Sequence, residues 1–291
     1  MSSSIPFYVY AWIATVSSAL IIIVTKLTSK YSIQNPWLFN FLWSIIILLF
    51  TIPPALKNHA GMPQDWMPIV IAAVFSSLWY VLYIFSMYKI DVSTLSPLFN
   101  FRTVFAVLLG TLFLREQLVP FQLLLFGIIT IAGMFATIDE KLNIRSFFKP
   151  SIAIGLLAML FLALNNAAIK MALVNNDLWT ATLWMGIINF AILIPTIPLF
   201  YKDLFKIKFN HIIPIGLMGI FQTVTNYSAN TAYGVNISIT SLIMAVPVSM
   251  ILVFLLAIFK PNLLEKHSVK VYAIRFISAI IMIISALKLT A

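Results

Sequence analysis

The sequence predicts an all-α integral membrane protein with ten transmembrane helices, arranged as two inverted five-helix repeats. Three observations predict it. Of 291 residues, 62% are hydrophobic and only 9% are charged, with a mean hydropathy of +1.04. A soluble domain carries about 25% charged residues, so this chain lacks the polar surface to meet water on all sides. Apolar runs of about 20 residues, the length that crosses a bilayer as a helix, recur along the whole chain. Finally, the segments before and after a polar midpoint resemble one another.

The apolar runs place spans at 6–27, 36–56, 66–88, 92–114, 119–138, 151–173, 178–200, 211–232, 237–259 and 269–289. The first run is long enough to span and follows MSSSIPFYVY, which has no basic n-region, so no cleavable signal peptide is expected. The longest polar break, IDEKLNIRSFFKP, contains the linker 139–150 and separates a first repeat, 1–138, from a second, 151–291. Pro97 and Pro247 sit in matched spans of the two halves, and Pro195 and Pro198 lie near the end of the seventh span. A proline inside a span removes a ladder bond and kinks the helix.

NPWLFNFLWSIIILLFTIPP (35–54) matches NDLWTATLWMGIINFAILIPT (176–196) in its Asn start, entry Trp, Leu-Trp pair and Ile-Pro exit. Lys26 closes the first span as Lys170 closes the sixth, and YKIDVSTLS (88–96) aligns with YGVNISITS (233–241). Five spans is an odd number, so two such halves in tandem enter the membrane with opposite orientation. Inverted repeats of this kind place a site near the midplane between the halves.

The layout resembles the ten-helix EamA-type transporters of the drug/metabolite transporter superfamily. The local match is FAVLLGTLFLREQLVPFQLLLFGIITIAGMF (105–135): a small-residue apolar helix, a turn bearing Glu116, then a helix with Gly127 and Gly133. The resemblance implies a ten-helix bundle, a central cavity between the halves, and export or exchange of small metabolites. The second half departs from the pattern. Pro261 stands at the Glu position with Glu265 four residues on, and VYAIRFISAIIMIISAL lacks the later glycines.

The formal charge is +10. The basic residues are scattered at span ends, which fits membrane flanks and not a nucleic-acid-binding face. Twelve of the 18 Lys and Arg residues follow odd-numbered spans. The positive-inside rule puts both termini outside on that count, whereas the family resemblance implies both inside. There is no cysteine, no HExxH and no P-loop, and His59, His211 and His267 all lie in loops. Neither an enzyme nor a cofactor or metal site is expected. The expected partners are a small-molecule substrate and the lipid bilayer.

All eight acids, Asp65, Asp91, Glu116, Asp139, Glu140, Asp177, Asp203 and Glu265, fall in loops or at span ends. Arg102 and Arg275, by contrast, lie inside spans. An arginine at the bilayer centre costs about 2.5–3.5 kcal/mol on insertion scales. Three readings of Arg102 stand open: it snorkels to an interface, it is satisfied by carbonyls and Asn side chains, or it faces a wet cavity and meets a substrate anion. Arg275 is a second candidate of the same kind. Gln222, Asn226 and Asn230 share one face of the eighth span, with Tyr233 continuing it; interhelical bonding and cavity lining both account for them. Asn165, Asn166 and Asn189 lie mid-span. Trp79, Tyr80 and Tyr83 lie too deep to form only an interfacial belt, and either pack or stack on a substrate.

The expectation is a secondary transporter of small organic metabolites working by alternating access, with amino acids or related carboxylates first. Its substrate-binding candidates are Arg102, Trp79, Tyr80, Tyr83, Asn165, Asn166, Asn189, Gln222, Asn226 and Arg275. A sugar-phosphate or nucleotide-sugar exchanger is an alternative that needs further buried cations at Arg275 and Lys170. A membrane assembly or lipid-handling protein is an alternative of another class.

Overall fold

The computed structural model describes residues 5–102, 104–105, 108–109, 120–140, 144–233, 243–244, 246–260, 262–264 and 267–290. These residues are helical, with no strand among them. Among the described residues, the α-helices of at least 7 residues are α1 (Phe7–Tyr31), α2 (Pro36–Lys57), α3 (Trp66–Lys89), α4 (Val92–Leu98), α5 (Pro120–Ala136), α6 (Pro150–Asn175), α7 (Leu178–Leu193), α8 (Phe209–Tyr233), α9 (Val248–Phe259) and α10 (Val269–Thr290).

Among the described residues, six helical stretches are long and apolar enough to cross a membrane: α1, α2, α3, α6, α7 with its continuation to Leu199, and α10. Leu123–Ala136 and Val248–Phe259 are shorter apolar helices. α8 has 25 residues but is not among the six. It is the helix that carries Gln222, Thr223, Thr225, Asn226 and Ser228.

The matching entry motifs have a physical cause. Asn35 and Asp177 are both N-caps: Asn35 accepts from the Trp37 N–H at 3.0 Å, and Asp177 from Trp179 and Thr180 at 2.9 Å each. A capping side chain supplies an acceptor to a first turn that has no helical partner.

Three spans differ from the expected continuous helices. The fourth was expected over 92–114, but α4 ends at Leu98 and Phe99–Asn100 form a turn. Past Pro97 the backbone tightens to bonds three residues apart, from Asn100 to Pro97 at 3.1 Å and from Arg102 to Phe99 at 3.2 Å. The Asn100 amide also donates to the Pro97 carbonyl at 3.1 Å, competing with the helix for that acceptor. The seventh span passes into a 3-10 segment, Ile194–Leu199, where Pro195 and Pro198 lack the N–H an α-helix needs. In the ninth span, Ile243 and Met244 are helical, Val246 and Pro247 are not, and α9 runs on from Val248; the expected start of the span, like Glu116, lies outside the described residues.

Connections after odd-numbered helices meet at one end. Lys30 donates to the carbonyls of Leu263 and Leu264, Asn35 to Asp203, and His267 reaches Asp91 and Glu140. At the other end, Gly61 N–H donates to Thr180 and Gln64 N–H to Asn176. The first end carries most of the basic residues, among them Lys30, Lys89, Arg145, Lys149, Lys206 and Lys260. Between the ends, α3 packs on α6 and α7, α1 on α8 and α9, α2 on α7 and α8, and α5 on α10, while α4 touches α6, α9 and α10. Leu124, Ile131, Val174, Ile258, Ile277 and Ile284 face outward, as apolar side chains do where lipid is the solvent.

The glycines are unequal. A Cβ on Gly219 would lie 2.6 Å from Ile46 Cγ2 and 2.8 Å from Phe50 Cδ2, so the crossing of α8 over α2 leaves no room for a side chain. A Cβ on Gly133 would lie 2.5 Å from the Phe101 ring, whereas at Gly127 nothing stands within 4 Å. Gly219→Ala is expected to cost about 1–3 kcal/mol through overpacking. Gly127→Ala is expected to leave stability unchanged or raise it slightly, by helix propensity. Thermal unfolding of both variants in detergent checks the contrast, and equal midpoints would remove it.

Candidate functional site

Three helices bring polar and aromatic side chains together inside the bundle. On α2, Asn40, Trp43, Ser44 and Ile47 recur at helical spacing and share a face. On α7, Gly186, Asn189 and Leu193 do the same. These residues and Tyr80 of α3 line a small cavity. Gly186 keeps the α7 wall low there; a Cβ would approach Leu48 to 3.4 Å.

The cavity has a rigid aromatic wall. The Trp43 ring packs, tilted, at 5.4 Å from Tyr80 and 6.0 Å from Tyr83. Trp79 lies 4.4 Å from Tyr80 and 6.0 Å from Tyr83. Opposite them, Asn189 is locked by two hydrogen bonds: its amide donates to Ser76 Oγ at 3.1 Å, and its carbonyl accepts from Ser77 Oγ at 2.7 Å. Several groups here have no partner in the structure. Asn40 Oδ1, Trp43 Nε1 and Trp79 Nε1 are buried without a hydrogen bond, as is Asn165 Oδ1 on α6. Leaving such a group unsatisfied costs about 1–3 kcal/mol. An acceptor on Asn40 and a donor on Trp43, both residues lining the cavity, suit a polar guest or water.

The candidates from sequence divide into groups. Trp79, Tyr80, Tyr83 and Asn189 come together in this cluster. Asn165 is buried, while Asn166 beside it is exposed. Gln222 and Asn226 bond to each other along α8, amide to carbonyl, at 2.9 Å, and Asn226 is exposed. The side chains of Asn230, Tyr233 and Lys170 lie outside the described residues. Arg102 is exposed, three residues beyond Phe99, whose ring stands 6.1 Å from Tyr83. Arg275 is 2% exposed and is held by protein groups: Nη1 donates to Ser93 Oγ and Nη2 to the Ile138 carbonyl at 2.8 Å. Neither arginine lines the cavity described above.

Asn40, Trp43 and Ser44 were not singled out from sequence as site residues. Their signal was the spacing Asn-x-x-Trp-Ser within an otherwise apolar span, which reads equally well as packing.

Apolar helices around a buried polar and aromatic cavity define an integral membrane protein with an internal site. Residues 5–138 match the EamA-like transporter family. The family likeness covers that stretch; the EamA-like transporter family belongs to the drug/metabolite transporter superfamily, and its members are transporters rather than enzymes. A solved structure described as "Crystal structure of protein" is 15% identical, with a TM-score of 0.56 over 96% of each chain, a likeness of fold. No curated protein matches.

Proposed function

We propose that the protein is a secondary transporter of the cell membrane that moves small organic metabolites by alternating access between two inverted five-helix halves. Amino acids and related carboxylates are the substrate class. The observation that carries the reading is the cavity between α2 and α3 of one half and α7 of the other, with unpartnered polar groups on an aromatic wall.

Helix packing supports the two-half organisation. Exchanging α1 with α6, α2 with α7, and so on turns the α3–α6 contact into α8–α1, α3–α7 into α8–α2, and α1–α9 into α6–α4; all of these contacts occur. The interruptions at Phe99–Asn100 and Val246–Pro247 fall in the matched fourth and ninth spans. Interrupted helices are tolerated at membrane depth where they are buried in protein or line a cavity.

The carboxylate class rests on Arg102. An exposed guanidinium inside an apolar span needs water or an anion, because lipid offers it neither. Sugar-phosphate exchange is less well supported, since Arg275 is already engaged by Ser93 and Ile138. In proteoliposomes preloaded with an unlabelled amino acid, external labelled amino acid is expected to show transient counterflow above protein-free vesicles. Absence of counterflow across a panel of amino and organic acids would overturn the proposal.

A further inference from the structure

The basic end of the bundle holds a cluster that the cavity does not use. His267, in the connection before α10, has a side chain only 12% exposed, and both of its ring nitrogens meet carboxylates. Nδ1 stands 3.0 Å from Glu140 Oε1, in the connection between α5 and α6. Nε2 stands 3.1 Å from Asp91 Oδ2, between α3 and α4. The same Glu140 oxygen accepts the Ser268 backbone N–H at 2.9 Å. Asp91 occupies the N-cap position of α4 but makes no side-chain cap bond; its carboxylate turns to His267 instead.

Among the described residues, two further cations bear on Asp91, and Asp139, paired with Lys149, adjoins Glu140. Lys26 of α1 donates to the carbonyls of Met87 and Ile90 and acts on Asp91, as does Arg275 of α10. The Tyr272 ring of α10 meets the imidazole edge-on at 5.7 Å. Glu265 and Lys266 lie outside the described residues.

The geometry specifies the number of protons. A neutral imidazole has one N–H and one bare lone pair. One of the two contacts would then set a lone pair against a carboxylate oxygen. Both contacts are attractive only when both nitrogens carry hydrogen. The carboxyls are suited to this role. Burial pushes Asp91 up, but His267, Lys26 and Arg275 together hold it below its ordinary value. The Ser268 N–H, with smaller help from His267, holds Glu140 below its own.

We propose that His267, set between Asp91 and Glu140, is a proton-binding site whose occupancy clasps the α3–α4, α5–α6 and α9–α10 connections together. These three connections belong to the first half, the central linker and the second half. The clasp therefore ties the two halves at one end. When the proton leaves, both ion pairs lose their cation, one hydrogen bond remains and the other contact becomes repulsive, so this end loosens as pH rises. The link to substrate access rests on the transport reading; the proton site itself does not.

The chain has no cysteine, so nitroxide labels can be placed at two chosen sites without background. Lys89→Cys and Asn262→Cys put them on exposed positions of the α3–α4 and α9–α10 connections. Pulsed electron paramagnetic resonance on the purified full chain at about pH 5.5 and about pH 8 brackets the histidine range. A single short distance is expected at the lower pH and an added longer one at the higher. His267→Gln, with one amide donor and no charge, is expected to show the longer distance at both. His267→Arg, charged throughout, is expected to keep the short one at both, and it preserves the test if the glutamine variant does not fold. Identical wild-type distances at the two pH values, or a pH response that survives in His267→Gln, would overturn the proposal. A responsive clasp in a protein without counterflow removes only the transport reading, and counterflow with unresponsive distances removes only the clasp.

Discussion

Replacing Arg102 with glutamine is expected to reduce by about half or more the thermal stabilisation that a carboxylate solute confers on the wild-type protein, while leaving the ligand-free midpoint nearly unchanged. The second half of that expectation follows from exposure. Arg102 lies on an accessible surface just past the turn at Phe99–Asn100, so its removal leaves no buried cavity. The first half follows from charge. A guanidinium binds a carboxylate through two parallel charge-assisted bonds, and a neutral amide replaces at most part of that. A ligand that binds only the folded state stabilises it by RT ln(1 + [L]/Kd), about 2.7 kcal/mol at a hundredfold excess over Kd. A variant with tenfold weaker binding loses about 1.4 kcal/mol of that, a shift readable in a thermal scan. If the variant responds to carboxylates as the wild type does, Arg102 does not bind the solute.

Arg275→Gln is expected to act in the opposite way, lowering the ligand-free stability by about 2–4 kcal/mol. Here the side chain is 2% exposed and donates to Ser93 Oγ and the Ile138 carbonyl, joining α10 to the start of α4 and the end of α5. Hydrogen bonds from a charged donor contribute about 1.5–3 kcal/mol each. Relief of guanidinium desolvation offsets part of the loss. Glutamine is too short to reach both acceptors, so at least one stays buried and unpaired. The change has a pH signature as well. Asp91, whose carboxyl is held below its ordinary value of 3.8, contributes stability that is present above that value and lost as pH falls through its lower folded-state value. Removing Arg275 takes away one of the cations that hold it down. The Asp91 contribution shrinks, and acid unfolding is expected to begin at higher pH. Denaturant titration at neutral and acid pH tests both statements; an unchanged midpoint at neutral pH would sink the structural role of Arg275.

The two arginines show where sequence reading stops. Both read as a charge inside an apolar span, with no acid in reach along the chain. Only the fold separates them. Arg275 meets Ser93 and Ile138 from distant segments and lies near Asp91, while Arg102 stays exposed. The aromatic stripe of Trp79, Tyr80 and Tyr83 was legible because three large polar-tipped rings on one helix are conspicuous. Its counterpart on α2 was not, because Asn40 and Trp43 acquire meaning only once Asn189 of α7 arrives opposite. His267 was read as an isolated loop residue. It becomes a site because three connections, 127 and 176 positions apart from it in sequence to Glu140 and Asp91 respectively, close on one point.

The sequence by itself determined that the chain lives in lipid and roughly where its helices run. Transfer of a segment into a bilayer is nearly a sum over its own residues, so composition within about 20 positions decides it. Even the caps at Asn35 and Asp177 are local, acting two or three residues away. The tertiary structure decided where helices break and which polar groups meet. A proline or asparagine in a span is compatible with a kink, a cap or a full interruption, and the packing around Pro97 selects one. Polar contacts inside a membrane bundle form between helices that the chain does not order side by side, and their partners are a property of that packing alone.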